Sequence, residues 1–461
     1  RAAAVVDATG NADVAAAAGA EVVNISSDHV AVQGTGLAPF VPGRHYTNTG
    51  HTFVDDTDVK DSTRAFAAAR TKFRDSFDLV QIIDSRQRQQ VRGDLSLDPL
   101  DFLAQRTFPD TVVTARSNFD SHGFTIHPVF MAKAPDEASH DAHVPFRCLL
   151  PRGLENILVT GLGVSSHRDA LPVIRMQPDV QNQGYAAGRA AALAAKQGVA
   201  LRGLDLKSLQ QHLVEVGILK PDVPGQRDSF PPPDEQIQAA VREGIDDYLG
   251  LALIFAYPDR SLPRLREAHR TAADPNLRER YAHVLGLLGD DTGVETLIDL
   301  LEKTPWDEGW NYRGLGQFGF SLSRVDSLLI ALALTRDPRA RPIMLAKAAT
   351  LSPDAEFSHF RALTLAFEAQ PSVEAAAHFT RFLEYVRGNV RTTLGEAVEN
   401  VAESHDDTTE RNRELRELLL ARGLFACGDP EGKAKAVLTA YAHDVHGHYA
   451  RHARAILGGN A

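Results

Sequence analysis

Cysteine is nearly absent from this sequence: only Cys148 and Cys427 occur among 461 residues. Two thiols so far apart along the chain do not make a disulfide framework. A cysteine-rich metal site or an iron–sulfur cluster needs several such ligands, so those centres are excluded. The two thiols leave the cellular compartment undetermined.

Long apolar runs and an excess of basic residues are also missing. No stretch approaches the roughly 20 consecutive apolar residues that span a bilayer. Lys and Arg total 49 against 60 Asp and Glu, which gives a formal net charge of −11. This balance argues against membrane insertion, a polybasic membrane patch and general nucleic-acid binding. We expect a soluble globular protein with no membrane and no nucleic-acid partner.

The start of the chain lacks both an initiator Met and a signal-peptide pattern. Residue 1 is Arg, and "RAAAVVDATG" has the composition of a buried strand from its first residues. A folded domain seldom begins with a core strand and no lead-in. We therefore expect that further residues precede Arg1.

The sequence pattern divides the chain into an α/β part and a helical part. A β-prone run at Ala2–Val6 leads into a turn and a helix, which is typical of an α/β unit. The stretch "RGLENILVTGLG" returns to a buried strand, and a long helix closed by Gly198 follows. We predict three domains: a partial Rossmann-like domain at 1–35 and 151–225, an inserted α+β region at 36–150, and an all-α domain at 234–461.

The last of these domains begins after the proline-rich "DSFPPPDEQ". It contains recurring pairs of helices joined by short turns, such as "NLRERYAHVLGLLGDD" followed by "GVETLIDLLEK". No such pair buries its apolar stripe alone, so stacking into a HEAT-like α-solenoid is expected. The repeats would offer a surface for a protein partner.

Gly161–Ser166, in "GLGVSS", resembles the glycine-rich turn of a dinucleotide site but does not satisfy it. The fingerprint needs a helix to begin at the turn and an acidic residue to end a second strand about 20 residues later. Pro172 lies where that helix should be under way, and Asp179 lies in a helical stretch. A self-contained dinucleotide site at this turn is therefore not expected.

A better helix start follows at "RMQPDVQNQGYAAG". Pro178 suits a first helical turn and Asp179 suits the positive end of the helix dipole. Gly184, Gly188 and Ala192 form a narrow stripe that predicts close packing of this helix on a sheet. Alternatively, a ligand lies at the start of the helix with Arg175 beside it.

Three segments together resemble a bacterial family of FAD-dependent oxidoreductases of the two-dinucleotide-binding-domain type. "ILVTGLGVSSHRDALPVIRMQPDVQNQGYAAGRAAALA" is similar to the family's C-terminal flavin segment, and "VVDATGNADVAAAAGA" is similar to its middle motif. Between them, "DSRQRQQVRGDLSLDPLDFLAQRTFPDTVV" resembles the interdomain segment. The resemblance covers about residues 1–215 and implies a partial FAD/NAD(P)-binding fold with FAD as cofactor.

Site residues follow from the resemblance position by position. It implies that Thr9 and Gly10 line the phosphate or ribose part of FAD and that Gly161 lies where the ribityl–phosphate part passes. Many relatives have Arg after the equivalent of Gly161, whereas this chain has Leu162. The family's first glycine-rich motif, expected upstream of "VVDATG", is not found, so residues 1–461 alone are predicted to bind FAD weakly.

The resemblance also places Arg175, Met176 and Gln177 at the pyrimidine edge of the flavin. Positive potential there would stabilise an anionic reduced flavin and favour hydride acceptance.

His167, Arg168 and Asp169 follow the glycine turn directly. We predict that this loop faces the flavin, with His167 as a proton acceptor and Arg168 and Arg175 as further catalytic groups. The alternative is a structural loop with an internal Arg168–Asp169 pair.

Other polar groups are weaker candidates. Asp120, His122 and His127 suggest a catalytic cleft but more often cap turns, and the alternating arginines near residue 90 are expected on a solvated strand face. A C-terminal histidine cluster has metal-ligand spacing, but surface or capping roles are expected and no metal is predicted. Its members are Asp444, His446, His448 and His452.

Two functions are carried forward. The first is the C-terminal part of an FAD-dependent oxidoreductase that transfers hydride between flavin and a small organic substrate. The alternative is a helical-repeat interaction or scaffold protein with a non-catalytic flavin-like remnant. The sequence leaves the substrate, electron acceptor, oligomeric state and localisation unknown.

Overall fold

The computed structural model describes residues 2–29, 36–37, 54–75, 83–84, 86, 89–120, 124–135, 138–306, 312–313, 320–404, 407 and 409–458. The chain divides into two compact units. Unit 1 comprises Arg1–Ile25, Arg88–Ser121 and Pro135–Ser261, and unit 2 comprises Ser26–Gln87, His122–Ala134 and Leu262–Ala461.

The strands are short. They are β1 Val5–Asp7, β2 Val22–Asn24, β3 Gly36–Leu37, β4 Ile83–Asp84, β5 Gln89–Val91, β6 Thr111–Ser117, β7 His140–Pro145, β8 Ile157–Val159, β9 Tyr312–Arg313 and β10 Phe320–Leu322.

Helices make up most of the rest of the described chain. The helices that begin before residue 260 are α1 Asp13–Ala17, α2 Val59–Lys72, α3 Pro99–Leu103, α4 Val129–Ala132, α5 Leu171–Ile174, α6 Gln177–Gln197, α7 Leu206–Glu215, α8 Asp234–Glu243, α9 Tyr248–Ala256 and α10 Pro258–Thr271. The later ones are α11 Pro275–Leu287, α12 Val294–Lys303, α13 Arg324–Leu334, α14 Ala340–Thr350, α15 Phe357–Ala369, α16 Ala376–Val386, α17 Leu394–Glu399, α18 Thr409–Ala426, α19 Lys433–Tyr441 and α20 Gly447–Ile456. No helix in the described ranges is long and apolar enough to cross a bilayer.

Unit 1 is an α/β unit built on short paired strands. β1 pairs in parallel with β8, while β2 pairs with β5 and β6 with β7 in antiparallel fashion. Small and β-branched side chains from β5, β8 and the first helix form a common core. Their small volume lets the turns after β1 and β8 approach each other closely, which is consistent with a Rossmann-like arrangement.

Helix α6 packs on this unit through a face of small residues and one amide. Its buried residues are Asp179, Gln183, Ala186, Ala187, Ala190 and Ala194. The helix ends at Gly198, whose φ of 67° is the left-handed conformation that glycine favours.

The predicted packing stripe on α6 was wrong. Gly188 and Ala192 are exposed, and a Cβ added at Gly184 or Gly188 would meet nothing within 4 Å. The alanine-rich face on the opposite side of the helix is buried instead. Ala186, Ala190 and Ala194, each two positions from the stripe, provide the close approach.

Unit 2 is dominated by paired helices. The predicted pair near residue 280 forms α11 and α12, and similar pairs follow as α13 with α14 and α15 with α16. α11 packs on α13, α13 on α15, and α15 on α18, so the first helices of successive pairs stack. Helix pairs and stacking agree with the sequence-based expectation, while their HEAT-like character stays a prediction.

The two units divide the chain differently from the predicted domains. Residues 36–150 do not form a region of their own, since 88–121 belong to unit 1 and 122–134 to unit 2. Helix α2 packs against α17 inside unit 2, although it lies in the predicted insert. Unit 1 also continues past the proline-rich segment to Ser261.

Candidate functional site

The bend after β1 is organised by a buried carboxylate. Asp7 Oδ1 accepts hydrogen bonds from the Thr9 amide at 3.0 Å and the Thr9 hydroxyl at 2.7 Å. Asp7 Oδ2 accepts from the Ala15 amide at 2.8 Å, and Thr9 Oγ1 accepts from the Asp13 amide at 2.9 Å. Gly10 has a φ of 85°. Asp7 therefore fixes Thr9 and the start of α1, a role that sequence reasoning missed although the residue directly precedes "ATG".

The glycine turn after β8 lies directly against this bend. Because β1 and β8 are parallel neighbours, their carboxyl ends share one sheet edge, and the Thr160 amide donates to Asp7 O at 3.0 Å. Gly161 has a φ of 74°, and a Cβ on Gly163 would lie 2.9 Å from the Ala12 backbone nitrogen. Ligands of α/β proteins bind at such an edge.

Gln183 connects the glycine turn to the start of α6. Its Oε1 accepts from the Gly161 amide at 3.1 Å, and its Nε2 donates to Ile174 O at 2.9 Å. The side chain is fully buried. The amide thus fixes the distance between the turn and the residues that begin the helix.

Among the described residues, no side chain caps the amino end of α6. Met176 occupies the N-cap position without such a bond, and Gln177 begins the helix with Pro178 next to it. Burial raises the pKa of Asp179, while a hydrogen bond from the Arg116 backbone opposes that rise. Asp179 is therefore bound to β6, and the polarised amides of the first turn are left for another acceptor.

Arg175 has a protein carboxylate as its partner. Its Nη2 donates to Asp120 O at 2.9 Å and to Asp120 Oδ2 at 3.0 Å, and its side chain is only 8% exposed. The charge that Arg175 brings to the start of α6 is thus partly compensated. Asp120, a weaker catalytic candidate, serves here as an arginine partner.

The loop that follows the glycine turn is held from within. The His167 amide donates to Leu97 O at 2.6 Å, and His167 Nδ1 accepts from the Asp169 amide at 3.0 Å. A ring that accepts at Nδ1 carries its hydrogen on Nε2 when neutral. In that tautomer Nε2 is a hydrogen-bond donor, so the predicted role of His167 as proton acceptor requires Nδ1 to release the Asp169 amide.

Arg168 and Asp169 are both buried and form an ion pair at 3.6 Å. Burial lowers the pKa of Arg168, while the Asp169 charge opposes this shift. This ion pair is the one expected if the loop has a structural rather than a catalytic role. The burial of Arg168 and its ion pair with Asp169 favour that structural alternative for Arg168.

Asn11 is a further residue that sequence reasoning missed. It follows the bend after β1 and is buried, and its backbone carbonyl accepts from Gln89 Nε2 at 3.1 Å. Within the described ranges its side-chain Oδ1 has no hydrogen-bond partner. A buried acceptor of this kind is costly unless a ligand or water donates to it.

The other weaker candidates are either undescribed or have structural roles. His122 and Arg88 lie outside the described residues, and Arg92 is half-exposed beside Glu21, as expected for a solvated strand. His127, in unit 2, accepts from the Val129 amide through Nδ1 at 3.2 Å and so caps a turn.

The expected surface position of the C-terminal histidines was wrong. Asp444, His446, His448 and His452 are all buried, because they lie on or next to α20, which packs inside unit 2. His446 Nδ1 bonds Asp444 at 2.7 Å, and His452 Nδ1 bonds Ser26 O at 2.9 Å. The described residues contain no group of three or more ligands arranged for a metal.

Two parallel strands with glycine turns at one shared edge, and the start of a helix beside them, are features common in the nucleotide-binding sites of α/β proteins. A family model described as "FAD dependent oxidoreductase" matches residues 44–213 of this chain, just over a third of its length. The match contains the glycine turn, the loop after it and α6, but not the bend after β1. It supports an oxidoreductase family and FAD as the cofactor. Comparison with curated proteins and with solved structures gives no match.

Proposed function

We propose that this protein is an FAD-dependent oxidoreductase whose unit 1 carries part of the flavin site. Its reaction would be hydride transfer between flavin and a small organic substrate. The proposal rests chiefly on one arrangement. The bend after β1, the glycine turn after β8 and the start of α6 are joined by Asp7 and Gln183.

The residues at this edge suit FAD in shape and in charge. Gly163 lies against Ala12 where a Cβ would not fit, and Asn11 has a buried acceptor without a partner among the described residues. In the proposal Thr9, Gly10 and Gly161 hold the phosphate and ribose parts of the cofactor. Gly161 itself has no side chain, and its positive φ and its bond to Gln183 fix the conformation of the turn.

The start of α6 provides the electrostatics of the proposed site. FAD, when bound, supplies two-electron chemistry. The backbone amides of Met176 and Gln177, at the positive end of the α6 dipole, would stabilise negative charge at the flavin's pyrimidine edge. Arg175 adds positive charge that Asp120 limits and orients.

His167 is the residue proposed to contact the substrate. Its Nδ1 bond to the Asp169 amide sets the ring orientation, and the buried Arg168 holds the Asp169 side chain. His167 is therefore proposed as the catalytic group that handles a substrate proton, with Arg168 acting through its neighbour.

The test is the cofactor content of the purified protein. Near-stoichiometric flavin, seen by visible absorbance and released as FAD on denaturation, is the expected result. A folded but colourless protein that cannot be reconstituted with FAD would contradict the proposal. That outcome would favour the scaffold alternative, in which the helical repeats bind a protein partner.

A further inference from the structure

Unit 2 contains a polar cavity that belongs to no part of the flavin site. It has a volume of about 460 Å³ and lies at the amino ends of α11 and α13, with α4 and α12 contributing to its wall. Most of its lining is polar or charged. The side chains that matter here are Glu279, His283, Leu300, Arg324, Ser327 and Leu328.

A chain of hydrogen bonds fixes the protonation of His283. Ser327 Oγ donates to the carbonyl of Met131 at 2.6 Å, and His283 Nε2 lies 2.6 Å from the same Oγ. A hydroxyl has one hydrogen and a carbonyl can only accept, so the imidazole must be the donor to Ser327. Burial, together with the Arg324 charge, lowers the pKa of His283 to about 4. The neutral ring therefore presents Nδ1 as an acceptor.

This geometry also excludes a nucleophilic serine. In a Ser–His pair that activates the hydroxyl, the imidazole must accept the serine hydrogen. Here that hydrogen is bonded to Met131 O instead. The pair is thus arranged to bind a ligand rather than to attack one.

Arg324 supplies a cation whose present partner is exchangeable. Its Nη2 lies 3.1 Å from Glu279 Oε2, and the two side chains are 53% and 32% exposed. Such solvent-exposed pairs contribute only about 0–1 kcal/mol. A ligand carboxylate can therefore join or replace Glu279, and guanidinium–carboxylate contacts are often bidentate.

We propose that this cavity binds a small hydroxycarboxylate, with its carboxylate on Arg324 and a hydroxyl donating to His283 Nδ1. Leu300 and Leu328 would contact its carbon backbone. The proposal does not depend on the flavin function, because it rests only on residues of unit 2.

Isothermal titration with three six-carbon probes separates the contributions. Gluconate carries the carboxylate and the hydroxyls, glucitol lacks the carboxylate, and hexanoate lacks the hydroxyls. Saturable binding of gluconate with at least roughly tenfold weaker binding of the other two is expected. No gluconate binding, or equal binding of all three, would overturn the proposal.

Variants test the two contacts in opposite directions. Arg324→Ala should weaken gluconate binding roughly tenfold or more. Glu279→Gln frees the guanidinium and should tighten binding several-fold. The control is Arg339→Ala, which removes a half-exposed arginine that pairs with Asp337 and Glu295; it should leave gluconate binding unchanged.

The Glu279→Gln result keeps the test decisive if Arg324→Ala fails to fold, which thermal unfolding will reveal. Unchanged or weaker gluconate binding by folded Glu279→Gln would contradict the assigned role of Arg324. Unchanged binding by folded Arg324→Ala would contradict it equally.

Discussion

The side-chain amide of Gln183 bonds the backbone of Gly161 on one side and that of Ile174 on the other, while fully buried. One residue of α6 therefore holds both the glycine turn and the segment from which the helix begins. Among the described residues, Gln183 is the hydrogen-bond partner of both backbone groups.

Replacing this amide by an apolar side chain should cost both stability and cofactor binding. Gln183→Leu leaves the Gly161 amide and the Ile174 carbonyl buried without a partner. At about 1–3 kcal/mol for each such group, we expect a loss of roughly 2–6 kcal/mol. Urea unfolding and FAD titration measure the two effects.

A matched control is available at Gln210, a second fully buried glutamine of unit 1. Its Nε2 donates to Pro109 O and Thr111 O, away from the glycine turn. Gln210→Leu should lose similar stability but leave the FAD affinity of the folded protein unchanged. Equal loss of FAD affinity in both variants would show that Gln183 has no specific role in the site.

Because the turns after β1 and β8 are in contact, one methyl group added at Gly163 should be destabilising. In Gly163→Ala the new Cβ would lie 2.9 Å from Ala12 N and 3.1 Å from Val159 Cγ1. We expect a loss of roughly 1–3 kcal/mol in the free energy of unfolding and weaker FAD binding. Gly184→Ala, where nothing lies within 4 Å, should instead gain roughly 0.5–1 kcal/mol. The same loss in both variants would contradict close packing at Gly163.

At the amino end of α6, an added negative charge should stabilise the helix but make a bound flavin harder to reduce. In Gln177→Glu an exposed first residue becomes negative, which favours the helix by about 0.3–1 kcal/mol. The same charge should lower the reduction potential of bound FAD, because it disfavours the anionic reduced form. Spectroelectrochemical titration measures that potential.

Gln211→Glu makes the same charge change at an exposed position of α7. It should leave the reduction potential unchanged. If Gln177→Glu also leaves it unchanged, the start of α6 does not face the flavin.

The buried His452 should make the folded protein less stable in acid. Burial, followed by the Arg422 charge, lowers the pKa of His452 to about 3, although hydrogen bonds to Ser26 and Ser27 oppose the shift. Because the folded pKa lies below the unfolded value of about 6.5, stability is full above pH 6.5 and falls as the pH drops towards 3. At pH 5 the loss should be about 2 kcal/mol.

The variant His452→Asn keeps an N–H donor and removes this titration. The difference in the free energy of unfolding between the parent protein and this variant should shrink by about 2 kcal/mol from pH 7 to pH 5. His443→Asn, at an exposed position, is the control and should leave the pH dependence unchanged. An unaltered slope in His452→Asn would show that another group causes the acid sensitivity.

Local signals made part of the site predictable. Pro178 and Gly198 mark the ends of α6 because each acts through its own backbone conformation. The apolar run before Gly161 likewise predicted β8. These features depend on a few neighbouring residues, which a single sequence displays in full.

Contacts between distant residues were not predictable in the same way. Nothing near Gln183 indicates that it bonds Gly161, and nothing near Asp7 indicates that it accepts from Ala15. Both contacts require β1, β8 and α6 to be assembled first. The assignment of α2 to unit 2 has the same cause, since its partner α17 is remote in sequence.

Helix α20 of unit 2 is held in place by residues that lie more than 380 positions earlier in the sequence. Asp61 accepts from the Gly447 amide at 2.8 Å, and Ser26 accepts from His452. Domains usually fold as units while the chain is being synthesised. Here Ser26 and Asp61 precede their partners in α20 by more than 380 residues, so these contacts of unit 2 form only after α20 has left the ribosome.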